Sequence, residues 1–79
     1  MQTIRHHATG EQYPAWAARY LDEIDREEAF DRQVLARDIA RWRAEHLPGM
    51  RSLYRGYVRN RIKHIRAHQY ARQTYRVQS

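Results

Sequence analysis

Thirty-three consecutive residues, Ala15 to Leu47, contain neither glycine nor proline, and this run constrains the fold of the 79-residue chain more than any other feature. Its residues are good helix formers, and Pro14 ahead of it suits a first helical turn, where a missing N–H costs nothing. Trp16, Tyr20 and Ile24 fall four apart, and Phe30, Val34, Leu35, Ile39, Trp42 and His46 resume a helical stripe. Between the two groups Glu27 and Asp31 land at core phase, so one straight helix would bury acids. A helix pair with a tight turn near residues 25–31, capped by Asp25 or Asp31, avoids that burial. The alternative is one bent helix over 14–47.

Pro48-Gly49 ends this stretch, Gly49 being suited to a helix C-cap, and a long basic helix is expected over about 51–74. Met50, Tyr54, Val58, Ile62 and Ile65 give it a core-facing stripe. The same phase then runs into Gln69, Arg72 and Arg76, which predicts that 66–79 projects from the core. Residues 1–12 are expected to be flexible or to form a short strand. Gln2-Thr3-Ile4-Arg5 echoes Gln73-Thr74-Tyr75-Arg76, and the two segments could pair, although matches this short also arise by chance. The expected architecture is a single all-α domain of three helices spanning 1–79.

The apolar content is nominally 42%, but Ala supplies ten of those positions and Tyr six. Leu, Ile, Val and Phe together number 13, which leaves a marginal core. Small cores are commonly reinforced by disulfides, metal or a second copy of the chain, and with no cysteine the first device is absent. A homodimer is therefore expected. No apolar run approaches the roughly 20 residues needed to cross a bilayer, and the first residues lack a secretory hydrophobic stretch, so a cytoplasmic location without membrane contact is expected.

Charge is distributed one-sidedly. Residues 1–49 carry seven Arg against nine acids, a net of −2, whereas residues 50–79 carry eight basic residues and no acid. Arg51, Arg55, Arg59, Lys63 and Arg66 follow the apolar stripe one residue later, about 100° further around the helix, with Tyr70 continuing the line. Like charges at i, i+4 repel, an arrangement easier to explain if an anion lies across it. Arg offers a planar fork to phosphate, and Tyr54, Tyr57 or Tyr70 could stack on an unpaired base. The plainer alternatives are a solvated face, or one neutralised by the acids of residues 22–31 in the same fold.

Other constellations are weaker. Asp22, Glu23, Asp25, Glu27, Glu28 and Asp31 are interleaved with Arg19, Arg26 and Arg32 and scatter over several helix faces, which suits ion pairing rather than acid–base catalysis or calcium. His64 and His68 have a two-ligand zinc spacing, with His46, His6 or His7 as conceivable third ligands. Without the Glu of a zinc-protease helix motif, the expectation is no metal and no cofactor. Trp16 and Trp42 fall at core phases and are expected to be packing anchors. Serine is confined to Ser52 and Ser79 and the three glycines are isolated, so no nucleophile elbow or phosphate loop is present and no small-molecule substrate is implied.

A helix-turn-helix reader would suit three helices of this size, but its signature turn is absent, so phosphate-dominated contact is expected over base readout. The expected function is non-enzymatic docking on a polyanion, nucleic acid or a nucleoprotein complex, through Arg51, Arg55, Arg59, Lys63, Arg66 and Tyr70. An acidic protein surface is the competing partner. In size and composition, though in no motif, the chain also resembles small phage-encoded inhibitors that block bacterial complexes, anti-CRISPR proteins among them. A third reading is a structural homodimer in which the acidic helix of one copy meets the basic helix of the other.

Overall fold

A computed structural model describes residues 2–77. Strand β1 (Thr3–Arg5) pairs antiparallel with β2 (Gln12–Pro14), Ile4 opposite Tyr13, and a single 3₁₀ turn over Ala15–Ala17 leads into α1 (Ala18–Ala44). A three-residue link then enters α2 (Pro48–Thr74), which returns along α1. The molecule is mostly helical, but it is a helical hairpin with a small strand pair at its open end, not three helices. With each helix 27 residues long, about 40 Å, the described residues extend over 56 × 17 × 17 Å.

The strand hairpin is set by its turn. Gly10 adopts φ 72°, the left-handed region open to glycine, and its N–H donates to the carbonyl of His6 while the N–H of His6 donates to Glu11. Pro14 at φ −60° ends β2 and feeds the 3₁₀ turn. Thr74 remains helical, so the C-terminal echo segment does not pair with β1. The ends meet differently: the N–H of Val77 donates to the carbonyl of Gln12 at 2.9 Å, and Tyr75 packs with Ile4 against Tyr13, Ala17 and Leu21.

Between the helices the link is short because Pro48 does not break α2 but begins it. It occupies the first turn, where no N–H is needed, with Leu47 as N-cap and Gly49 already helical. Glu45 Oε1 accepts from the N–H groups of His46 and Leu47, and Arg41 and Arg43 in the last turn of α1 complement its carbonyl end.

The seam follows heptads. On α1 the inward positions are Ala17, Leu21, Ile24, Glu28, Asp31, Leu35, Asp38 and Trp42; on α2 they are Tyr54, Val58, Arg61, Ile65, His68, Arg72 and Tyr75. Each series alternates steps of four and three. Acids thus occupy core positions of one continuous helix, and the turn expected near 25–31 does not form. What makes burial tolerable is pairing from α2: Asp31 lies 2.7 Å from Arg61 and 2.6 Å from His68, and Arg72 reaches both Asp25 and Glu28.

Two further expectations are corrected. Arg72 is only 8% exposed, so α2 does not stand away from the core beyond Ile65; its last turns are held by those carboxylates and by stacking of Tyr75 on Tyr20. Trp16 is 63% exposed and Phe30 62%, so neither is a core anchor; Trp42 is half-buried. The seam shares Ile24, Leu35 and Trp42 with the stripe that hydrophobicity selects but takes Ala17 and Leu21 in place of Trp16 and Tyr20, because Tyr13, Ala17 and Leu21 form the buried cluster at the strand end.

Candidate functional site

On α2 the acids of α1 are met by one set of cations and the predicted ridge is formed by another. Arg61, His68 and Arg72 face the seam and hold Asp31, Asp25 and Glu28, while Arg76 bonds Glu11 at 3.1 Å. Arg51, Arg55, Arg59, Lys63 and Arg66 are all exposed, and among the described residues none forms an ion pair. Neutralisation of this ridge by residues 22–31 therefore does not occur.

The ridge is not straight. A step of four residues advances about 6 Å and about 40° around an α-helix, so the row winds outward from Arg51 to Lys63, and Arg66 falls between Arg55 and Arg59 in azimuth. Lys63 and Tyr70 point most directly away from α1, and Tyr70 is 71% exposed. Arg51 lies nearest α1, its guanidinium carbon 6.0 Å from the centre of the Trp42 ring, in a cleft shared with Pro48, Ser52 and Arg55. The row from Arg51 to Arg66 spans about 22 Å. Tyr54 and Tyr57 are 6.1 Å apart, Tyr54 half-buried at the seam and Tyr57 exposed on the opposite flank from the ridge, so of the three tyrosines only Tyr70 adjoins it.

The seam chemistry explains why those other cations are unavailable. Burial pushes the Asp31 carboxyl up, but hydrogen bonds from Arg61 and His68 outweigh it and hold the group below the ordinary carboxylate range. Asp25 and Glu28 behave alike: burial raises them, and His6 with Arg72, or Arg72 with Arg32, lowers them further. Burial works against the Arg72 charge, and Glu28 and Asp25 more than restore it. At the strand hairpin, Tyr13 donates to Glu11 at 2.9 Å, and this bond together with that from Arg76 draws the Glu11 carboxyl down.

Metal-type groupings resolve into the same network. His6, His7 and Asp25 can bring ligand atoms within 4.8 Å of one another. Yet His6 Nδ1 accepts from the N–H groups of Ala8 and Thr9, which makes Nε2 the donor to Asp25 at 2.7 Å. Both ring nitrogens are used, and the guanidinium of Arg72 already sits on the same carboxylate. His68 is likewise committed to Asp31, while His64 is exposed beside Phe30 in a shallow groove with Arg26 and Glu27.

Sequence reasoning placed the ridge residues on one helix but overlooked the second surface, the exposed rings of Trp16 in the 3₁₀ turn and of Tyr20 and Phe30 on α1. The available signal was the acids at core phase, which become acceptable once Arg61, His68 and Arg72 are seen to share a heptad phase on α2. Compared with protein-family models, curated proteins and solved structures, the chain matches none. No helix of the described residues is long and apolar enough to cross a membrane.

Proposed function

We propose that the protein is a non-enzymatic, self-associating module that docks on the phosphate backbone of nucleic acid through Arg55, Arg59, Lys63 and Arg66, with Arg51 at the margin and Tyr70 available to stack. The observation that carries this reading is the division of labour on α2: every seam cation has a carboxylate partner, while the outward cations have none. A run of unneutralised guanidinium groups on a rigid helix suits bidentate contact with phosphate oxygens. A two-helix hairpin offers no separate recognition helix, so contact is with the backbone and low in sequence preference.

Affinity for labelled single- and double-stranded oligonucleotides should fall steeply with salt, log K against log salt having a slope of about −3 on single strands to about −4.5 on duplex for four to five neutralised phosphates. Arg55→Glu with Arg59→Glu should cut affinity at least tenfold and flatten the slope by about two. Absence of any binding at low salt would sink the proposal. Capture of a lysate protein that survives nuclease treatment would instead favour an acidic protein surface, including the small-inhibitor mode.

A further inference from the structure

A row of exposed aromatic residues runs along one flank of α1 and the 3₁₀ turn before it, beside the α2 contact and not within it. Phe30 and Trp16 are each more than 60% exposed and Tyr20 is 47% exposed, while the intrachain seam carries Glu28, Asp31 and Asp38. This outer stripe repeats with its own heptad spacing through Glu23, Glu27, Phe30, Val34, Arg37 and Arg41, all exposed except the half-buried Val34. Its acids lie at the N-terminal end, its arginines at the C-terminal end, and Phe30 and Val34 between them. Measured from the midpoint of Phe30 and Val34, each acid lies as far to one side as an arginine lies to the other.

That pattern is self-complementary under a two-fold rotation. We propose that two copies of the chain pair antiparallel through the outer face of α1, about an axis passing midway between Phe30 and Val34. Glu23 then meets Arg41 of the second copy, Glu27 meets Arg37, and Phe30 packs on Val34, each contact made twice as in any isologous interface. A parallel pairing would set Glu against Glu and Arg against Arg, so the charges select the orientation as well as the partner. Carried outward, the same register sets Tyr20 against Ala44 and Trp16 beside Pro48, large rings against small residues.

No intrachain role accounts for this placement. Glu27 and Arg37 are about 15 Å apart along one helix, and Glu23 and Arg41 about 27 Å, beyond any direct contact. Among the described residues Glu27 has one other partner, His68 at 3.6 Å, and Glu23, Arg37 and Arg41 have none. From α2, Leu53 and Tyr57 share the helix side of His64, which lines the groove next to Phe30, so they extend the same apolar face. The basic ridge lies on the far flank and stays open in the pair.

This interface deepens the reading of the chain as self-associating and does not depend on nucleic-acid binding. Sedimentation of the full chain across a wide concentration range tests it. The wild type should be a dimer, and Phe30→Asp should render it monomeric with unchanged helicity, since Phe30 is already solvent-exposed in one copy. Glu27→Arg should weaken association about tenfold by turning two attractions into repulsions. Adding Arg37→Glu should restore it to within about threefold, because both pairs are then rebuilt with reversed sign. Arg55→Glu with Arg59→Glu should leave the mass unchanged.

Four results overturn the interface: a monomer at every concentration, a Phe30→Asp dimer, a double charge swap no better than Glu27→Arg alone, or dissociation by the ridge variant. A monomer that binds oligonucleotides would remove the pairing and spare the ridge. A dimer indifferent to oligonucleotides would do the reverse.

Discussion

A carboxylate at the contact seam of two helices loses water, and whether it weakens or pins the fold depends on what faces it. Asp31 is met by Arg61 and His68 at hydrogen-bonding distance, so its burial is compensated. Asp38 occupies the same kind of position and is equally buried as a residue, but among the described residues its side chain makes no ion pair or hydrogen bond and leaves no oxygen both buried and unpartnered, so its carboxylate keeps contact with water. The two acids should therefore respond unequally to the same substitution. Asp31→Leu should destabilise by about 2–3 kcal/mol because it strands a guanidinium and an imidazole, whereas Asp38→Leu breaks no pairing and should change stability by less than about 1 kcal/mol. Urea unfolding followed by circular dichroism measures both, and equal losses at the two sites would contradict this account. From the sequence, both acids could be placed at core phase, but nothing local distinguished them. The distinction is made by residues 30 or more positions away.

At the level of the helices, what the sequence makes legible is length and location. The glycine-free run over 15–47 and the acid-free run beyond 50 are each one helix because propensity and periodicity agree over many turns. Phase was less legible. Hydrophobicity favours Trp16, Tyr20, Ile24, Phe30, Val34, Leu35 and Trp42 alike for the inner face, yet only Ile24, Leu35 and Trp42 of these turn inward, with Leu21 and the paired acids, and Trp16, Tyr20 and Phe30 are left exposed. The strand hairpin fixes this rotation by seating Tyr13 over Ala17 and Leu21. Pro-Gly suggests a turn that breaks the chain, although a proline in a first helical turn has no lost bond to account for. The exposed ridge could be traced on α2 from the 4, 4, 4, 3 spacing alone, but its freedom from intrachain acids depends on the partners chosen by Arg61 and Arg72. One feature of α2 remains weak. Gly56 lies mid-helix with open space where a Cβ would project, so Gly56→Ala should stabilise the chain by about 1 kcal/mol through lower backbone entropy in the unfolded state. A higher thermal midpoint with unchanged oligonucleotide affinity is expected. Lower stability would mean that the ridge side of α2 is more crowded than the geometry indicates.

Across the whole molecule, the two ends are held by different forces. A radius of gyration of 16.4 Å, against about 11.6 Å for a compact domain of this length, means that no central core joins them. Near the helix link the seam is Leu35, Trp42, Tyr54 and Val58; towards the strands it is the network of Asp25, Glu28 and Asp31 with His6, Arg61, His68 and Arg72. All three acids are held below their ordinary values in the folded chain. Each therefore contributes stability that is fully present above its unfolded pKa, about 4, and is lost as pH falls through the lower folded value. The thermal midpoint should decline as pH drops from about 5 towards about 2, and the loss should begin at the strand end. Trp16 sits there, edge-on to Tyr20 and Tyr75, whereas Trp42 sits beside Arg51 near the link. In a Trp42→Phe chain, Trp16 fluorescence should therefore change at a higher pH than total helicity. Asp25→Asn with Glu28→Gln should flatten the acid limb, since two of the titrating groups are gone and the remaining fall comes from Asp31 and Glu11. A midpoint independent of pH across that window, or coincident transitions by both probes, would show that the paired acids do not hold the strand end.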